Sequence, residues 1–237
     1  MYASTNQGPV LLVGAAHVVD LKAPLRRVLE GRTLDGVAVE LDAERAQALF
    51  SESGGRSSAG TPLFARLWAH VQQRLGAEIG SGNPGDEMKV AAELARERNL
   101  PVFLIDDPIR ATLVRLVRTM PFRERVTLLF GAFAALFVPA RLVEREMDRY
   151  TSEPEAYTEE LRRASPTLAR VLLDERNEHM ADRLTALRER GYGRIAAVVG
   201  DAHVRGLTSA LGRRGVPVEA VSFAQLRGAT APSPNPS

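Results

Sequence analysis

Short, nearly continuous apolar runs alternate with longer amphipathic stretches along this chain. The runs are Val10–Val13, Val37–Leu41, Val102–Ile105, Ile195–Val199 and Val218–Val221. Each is rich in Val, Ile and Leu and lacks in/out alternation, the pattern of a strand covered on both faces. Between them apolar positions recur at helical spacing over Lys22–Leu29, Glu44–Leu49, Pro62–Leu75, Pro84–Arg98, Pro108–Val117 and Val204–Leu211. Leu34-Asp35-Gly36 and Arg214-Gly215 mark turns into the following strands. This order predicts an α/β fold, with a central parallel or mixed sheet of about five or six strands flanked by helices.

The middle of the chain, roughly residues 119–190, reads as helix punctuated by Pro121, Pro139, Pro154 and Pro166. It predicts a helical insert before the penultimate strand, inside a single domain over residues 1–228. Residues 229–237 are Pro/Ser-rich and predict a disordered tail, and Ser51–Gly60 a flexible loop. The longest apolar stretch, Val126–Ala140, is shorter than the ~20 residues that span a bilayer. It predicts a buried helix or a face for homo-oligomerisation, not a transmembrane span. No basic residue precedes Lys22, so the uncharged start does not make a signal peptide, and a cytoplasmic protein is expected.

Composition narrows the chemistry. Among 237 residues there is no Cys, which excludes disulfides, Cys-ligated zinc, iron–sulfur clusters and thiol nucleophiles. Only Lys22 and Lys89 among the 31 basic residues are lysines, and neither lies in a P-loop or Ser-x-x-Lys context. The net charge of +2 carries no basic block, so nucleic-acid binding is not indicated. Any metal must draw on His17, His70, His179, His203 and carboxylates. Gly80–Gly85 spells G-x-G-x-x-G but follows a helical pattern and contains Pro84, and no G-x-S-x-G occurs.

One device appears twice. VLLVGAAHV at Val10–Val18 is echoed by AAVVGDAHV at Ala196–Val204, each a strand followed by G-x-A-H-V. Gly14 and Gly200 let the chain turn as it leaves the strand. His17 and His203 then lie beyond strand carboxyl ends, where functional groups gather in open α/β sheets. A helix N-terminus there disfavours imidazolium, and a neutral imidazole serves as base or metal ligand. The plainer alternative is two polar residues capping helices.

Glu40 ends a run that looks buried, so it needs a partner or a cation. Asp42 reads as an N-cap, followed by Arg45. Glu87 falls in a helix first turn, either dipole compensation or a site residue. Asp106 sits at a strand tip with Arg110 and Arg115 after it, either a buried Asp–Arg pair or part of a site. A helix over Pro166–Arg188 has an apolar stripe of Leu172, Met180, Leu184 and Leu187, with Arg176 on the stripe and Asn177 at its edge. An Arg there seeks a carboxylate or an oxyanion. Nearly all the other arginines fit solvated helix faces. Glu175 and His179 read as an exposed i,i+4 pair, and His70 as a surface or core-edge residue.

The ordered set VGAAHV, VAVELDAER, GDEM, LIDDPIRATLVR, ERNEHMADRL and VVGDAHVRGL resembles the TraB (pheromone shutdown) family from about Val10 to Leu211. That family looks related to Tiki metalloproteases, GumN-like proteins and erythromycin esterase-like hydrolases. The resemblance implies an α/β fold and a site lined by His17, Glu40, Glu87, Arg176 and His203. Tiki relatives imply a divalent metal (Mn, Co or Zn) on His17, Glu40, Glu87 and His203. Esterase relatives imply a metal-free, His/Glu-activated water. The family's D-R-D-I stretch is Asp106-Asp107-Pro108-Ile109 here, so Asp107 inherits no role, and the family's C-terminal membrane spans are missing.

Two readings follow. One is a hydrolase of a peptide or small ester, with His17, Glu40, Arg176 and His203 catalytic and Asn177, Asp106 and Arg110 substrate-binding. Arg176 would stabilise the oxyanion. The other is a non-enzymatic regulatory protein that sequesters a peptide, anion or metal in the same cleft.

Overall fold

The computed structural model describes residues 7–15, 22–50, 86–135 and 154–228. Five strands, β1 (Val10–Ala15), β2 (Gly36–Val39), β3 (Val102–Leu104), β4 (Ile195–Gly200) and β5 (Val218–Val221), form one sheet in the order β3-β2-β4-β1-β5. All neighbouring pairs are parallel, which makes this a parallel α/β fold. β1, β2 and β4 are buried at essentially every position, which explains why their sequences do not alternate. β1 runs two residues further than the apolar run, to Ala15. β2 stops at Val39, so Glu40 lies just past the strand.

Helices cover both faces. On one side α1 (Lys22–Glu30) and α3 (Asp86–Glu97) set Leu25, Leu29, Met88, Ala91 and Leu94 against Leu11, Val13, Val37 and Val39. Between them in the chain, α2 (Ala43–Phe50) follows β2. On the other side α8 (Glu175–Glu189) and α9 (Asp201–Arg213) bury Met180, Leu184, Leu207 and Leu211 against Leu12, Ala38, Ala197 and Val199. Spacings of three and four put these on one helix face, and each fully buried Leu contributes about 1.5–3 kcal/mol. Gly215, at φ 70, ends α9 in the left-handed region and lets Val216 N–H reach the Leu211 carbonyl.

After β3 comes α4 (Ile109–Thr119), which matches the helix expected over Pro108–Val117. The stretch expected to be helical before the penultimate strand, about residues 119–190, contains α5 (Phe122–Ala135), α6 (Pro154–Ala164) and α7 (Pro166–Ala169), leading into α8. Glu124 of α5 accepts hydrogen bonds from Ser165 Oγ and from Thr167 N and Oγ1, pinning α5 to the start of α7. Leu116, Met120, Leu168 and Val171 form a small core of their own.

The helix expected from Pro166 to Arg188 is not uniform. Arg170–Asp174 forms a π-helical turn between α7 and α8. A π turn holds one residue more than an α turn, so the face presented upstream is shifted. Leu172 is accordingly only partly buried, whereas Val171 and Leu173 are buried. The inward stripe becomes Leu173, Asn177, Met180, Leu184 and Leu187, and Asn177 occupies its centre instead of its edge. Arg188 is one of the arginines that do not lie on a solvated face. Arg188 is 5% exposed and donates to the carbonyls of Gly8 and Gly193 and to Gln7 Oε1. Burial among these neutral acceptors pulls its pKa below the usual guanidinium value.

Several expectations lie outside the described residues: His17, His70, the loop Ser51–Gly60, the helix Pro62–Leu75 and the tail 229–237. Of the apolar stretch Val126–Ala140, the described part belongs to α5, where Phe130 is strongly exposed. Among the described residues no helix is long and apolar enough to cross a membrane.

Candidate functional site

The carboxyl ends of β2, β3 and β4 meet the N-terminal halves of α8 and α9. Glu40 follows β2 and Asp106 follows β3. Gly200 ends β4, and His203 lies in the first turn of α9. Glu40 stays in register with the sheet because its N–H donates to the Val198 carbonyl. Its carboxylate turns inward: Oε2 accepts from Gly200 N at 2.7 Å, and Oε1 accepts from Arg176 Nη2. A Cβ on residue 200 would stand 3.3 Å from that Oε2, which is one reason a glycine ends β4.

Arg176 is the hub. Its Nε and Nη2 hold Asp106 in a fork at 2.9 and 2.7 Å, Nη2 also donates to Glu40, and Nη1 donates to the Leu172 carbonyl at 3.2 Å. Four of the five N–H donors of a guanidinium are thereby used. Arg45 Nη1 adds a second cation to Asp106 at 2.9 Å. Asp42 does what an N-cap should, accepting from Arg45 N at 2.8 Å, and its other oxygen accepts from Ile109 N at the start of α4. Two buried carboxylates thus share one guanidinium, and the helices around them are capped by a third.

His203 is 4% exposed, with Nδ1 2.8 Å from Asn177 Oδ1 and Nε2 3.4 Å from Glu40 Oε1. With the Asn177 oxygen as acceptor, Nδ1 carries the proton and Nε2 presents a lone pair towards Glu40. Burial pushes the His203 pKa below its usual value, with Arg176 and Arg45 acting the same way and Glu40 and Asp106 opposing them. Burial and cationic neighbours therefore neutralise this ring, ahead of the helix dipole expected from sequence. Burial alone would raise the Glu40 carboxyl, but His203, Arg176, the Gly200 N–H and Arg45 reverse that and hold it at about 2. At neutral pH, where His203 is uncharged, Arg176, Gly200 and Arg45 carry this effect. An ionised carboxylate and a neutral imidazole nitrogen, both acceptors, thus converge without either donating to the other.

Asn177 fits because residue 206 is glycine: a Cβ there would fall 2.1 Å from Asn177 Nδ2. Gly206→Ala is expected to displace the Asn177 amide, cost about 1–3 kcal/mol by overpacking, and release the His203 ring. Chemical denaturation reads the first effect. Nitrogen-15 imidazole shifts, changed from a single Nδ1–H tautomer to a mixture, read the second.

The structure brings together Glu40, Asp106, Arg176, Asn177 and His203. Arg110 lies apart, pairing with Glu44 at the surface with its side chain 62% exposed. Glu87 is buried in the first turn of α3. His17 lies outside the described residues. Ala15, two positions before it, is in register with Gly200. Glu175 does not pair with His179: it meets Arg115 and Arg170, and the half-buried His179 faces Asp107 at 3.6 Å. Arg45 and Gly206 went unassigned in the sequence. Arg45 follows Glu40 in ELDAER, one helical turn past the Asp42 cap, and that spacing was the available signal. Among the described residues no group of three His or carboxylate side chains suits a metal ion. Glu40 and His203 offer two donors, both Glu40 oxygens already accept hydrogen bonds, and two arginines stand alongside. These residues do not by themselves make a cation site.

The family model described as TraB/PrgY/gumN matches residues 2–220. An uncharacterized protein of Methanocaldococcus jannaschii is 30% identical over 217 residues, covering 87% of this chain and 54% of its own length. The chain thus spans about half of that relative.

Proposed function

The chain belongs to the TraB/PrgY/gumN family, and from that premise we propose that Glu40 and His203 activate water for hydrolysis of a peptide or small ester bond. One observation carries this reading: the neutral His203 Nε2 and the ionised Glu40 Oε1 converge at 3.4 Å, with the other ring nitrogen anchored on Asn177. Water donating to Nε2 loses its proton to the ring as its oxygen attacks the carbonyl carbon. The resulting imidazolium lies against the Glu40 carboxylate, an attraction absent in the ground state, so the pair favours the transition state over the resting site. The same proton then passes to the leaving amine or alkoxide. Arg176 acts mainly as a positioning residue for Glu40, with one Nη1–H left for an oxyanion. His17, two residues after Ala15 in the sequence, is the residue proposed to complete the site. A divalent ion would need His17 or Glu87 beside Glu40 and His203, and no step here is routed through one.

The test is turnover of aryl esters and fluorogenic peptides by wild type, His17→Ala and His203→Gln, with elemental analysis of the same preparations. Loss of a general base should lower kcat/KM roughly a hundredfold or more. Full activity in His203→Gln would sink the proposal. The heavy use of Arg176 and Glu40 in internal contacts also suits a sequestering protein. In that case His203→Gln weakens ligand affinity, and no preparation turns over substrate.

A further inference from the structure

β3 is an edge strand of the sheet. Val37 N–H donates to the Pro101 carbonyl and Ile105 N–H to the Val39 carbonyl, with Phe103 paired to Ala38 between them. In a parallel ladder this turns residues 101, 103 and 105 towards β2. The N–H and C=O groups of Val102 and Leu104 therefore point away from the sheet, and among the described residues no strand pairs with them. Beside this edge lies a cavity of about 210 Å³, bounded by Val102 to Ile105 on one side and by Arg183, Ala186, Leu187 and Arg190 of α8 and its C-cap on the other.

Those four helix positions are spaced i, i+3, i+4 and i+7, so they form one face over the open edge. Ala186 leaves the room between the two arginines. Most arginines in the described chain meet a carboxylate, as Arg162 meets Asp174, Arg194 meets Asp35 and Arg214 meets Asp182. Arg183 and Arg190 are exposed, and among the described residues neither has such a partner. An edge unpaired among the described residues, a small cavity and two guanidinium groups with no carboxylate partner there are therefore aligned.

We propose that this edge binds an extended acidic peptide segment, which adds as a sixth strand beside β3 with its carboxylate side chains on Arg183 and Arg190. Main-chain hydrogen bonds to Val102 and Leu104 supply affinity, and the arginines supply selectivity for acidic sequences. Same-face residues of the added strand recur every ~6.7 Å, and the guanidinium groups sit on helix positions ~10 Å apart, within reach for two flexible arginines. A second copy of this chain is the wrong occupant, because edge-to-edge pairing would bring both copies' Arg183 and Arg190 together. The proposal is independent of the hydrolase reading.

The experiment is fluorescence anisotropy with a labelled, alternating Val–Glu peptide and the full chain. The expected result is saturable, salt-sensitive binding that weakens about tenfold or more in Arg183→Glu/Arg190→Glu. A Val–Lys peptide should not bind. The same acidic peptide with its alternate backbone amides N-methylated should also lose binding, since methylation removes the strand's donors and leaves its charge. No saturable binding, equal binding by the double variant, or equal binding by the N-methylated peptide would each overturn the proposal. So would full displacement by succinate at matched carboxylate concentration, which would mark a small-anion site.

Discussion

Replacing Arg176 with Met should cost about 3–5 kcal/mol of folding stability, the range for removing one partner of a buried ion pair. Met fills a similar volume, so the loss is electrostatic. Glu40 and Asp106 both rest on the same Nη2 and are nearly inaccessible to water. Without the guanidinium they become close like charges in a poorly solvated pocket. Arg45 still neutralises Asp106, so Glu40 bears most of the loss. It is expected to regain an ordinary or raised pKa and to draw a proton onto His203. Arg176→Lys should fall between, because one ammonium cannot reproduce the fork on Asp106 while reaching Glu40. Urea denaturation of the three proteins at neutral pH is the measurement. A loss below about 1 kcal/mol, the size of a surface ion pair, would mean the cluster does not hold these elements together.

Acid should destabilise the protein in two linked steps. His203 has a lowered pKa when folded and an ordinary one, 6.5, when unfolded. Below about 6.5 the unfolded chain takes up a proton that the folded ring resists, so stability begins to fall there. Glu40 adds a lower step of the same sign. Its carboxyl titrates at about 2 in the fold against 4.5 ordinarily. The stability it contributes is complete above 4.5 and is lost as pH falls towards 2. A difference of that size corresponds to roughly 3 kcal/mol. Glu40→Gln should abolish the lower step, and His203→Gln should abolish the upper one and shrink the lower, because protonated His203 is the largest influence holding Glu40 ionised in acid. Unfolding free energies measured across this range decide the point: if wild type and Glu40→Gln run parallel between pH 5 and pH 2, Glu40 is not held ionised by its neighbours.

Much of this arrangement was legible because it rests on local pattern. Val218–Val221 is bounded in the structure as its apolar run is in the sequence, and Glu40 announced itself as a charge in a buried run. Arg176 was identifiable as a cation among apolar neighbours, although its two carboxylates come from different strands. What escaped depends on register or on distant packing. The π turn is invisible to periodicity because it is one residue of slippage, and that slippage decides that Asn177 is the central inward polar group. Arg188 carries no local mark of burial, since its acceptors are two backbone carbonyls, from the approach to β1 and the approach to β4, and the Gln7 amide oxygen. Gly206 gains meaning only when Asn177 packs on it. The carboxyl end of β3 contributed Asp106 as expected, but its arginine partners came from α2 and α8 and not from Arg110 close by in sequence.

The place of β1 in the sheet has a kinetic consequence. It lies between β4 and β5, the last two strands in the chain, and pairs with nothing nearer in sequence. During synthesis β1 therefore leaves the ribosome long before either of its neighbours exists. Its six buried residues must wait, apolar and unpaired, while the helical insert is made. Such long-range closure slows folding and exposes strand edges to wrong pairing. The insert, with its own small core around Leu116 and Val171, is the part that can order first, and sheet closure by β4 and β5 is the late event.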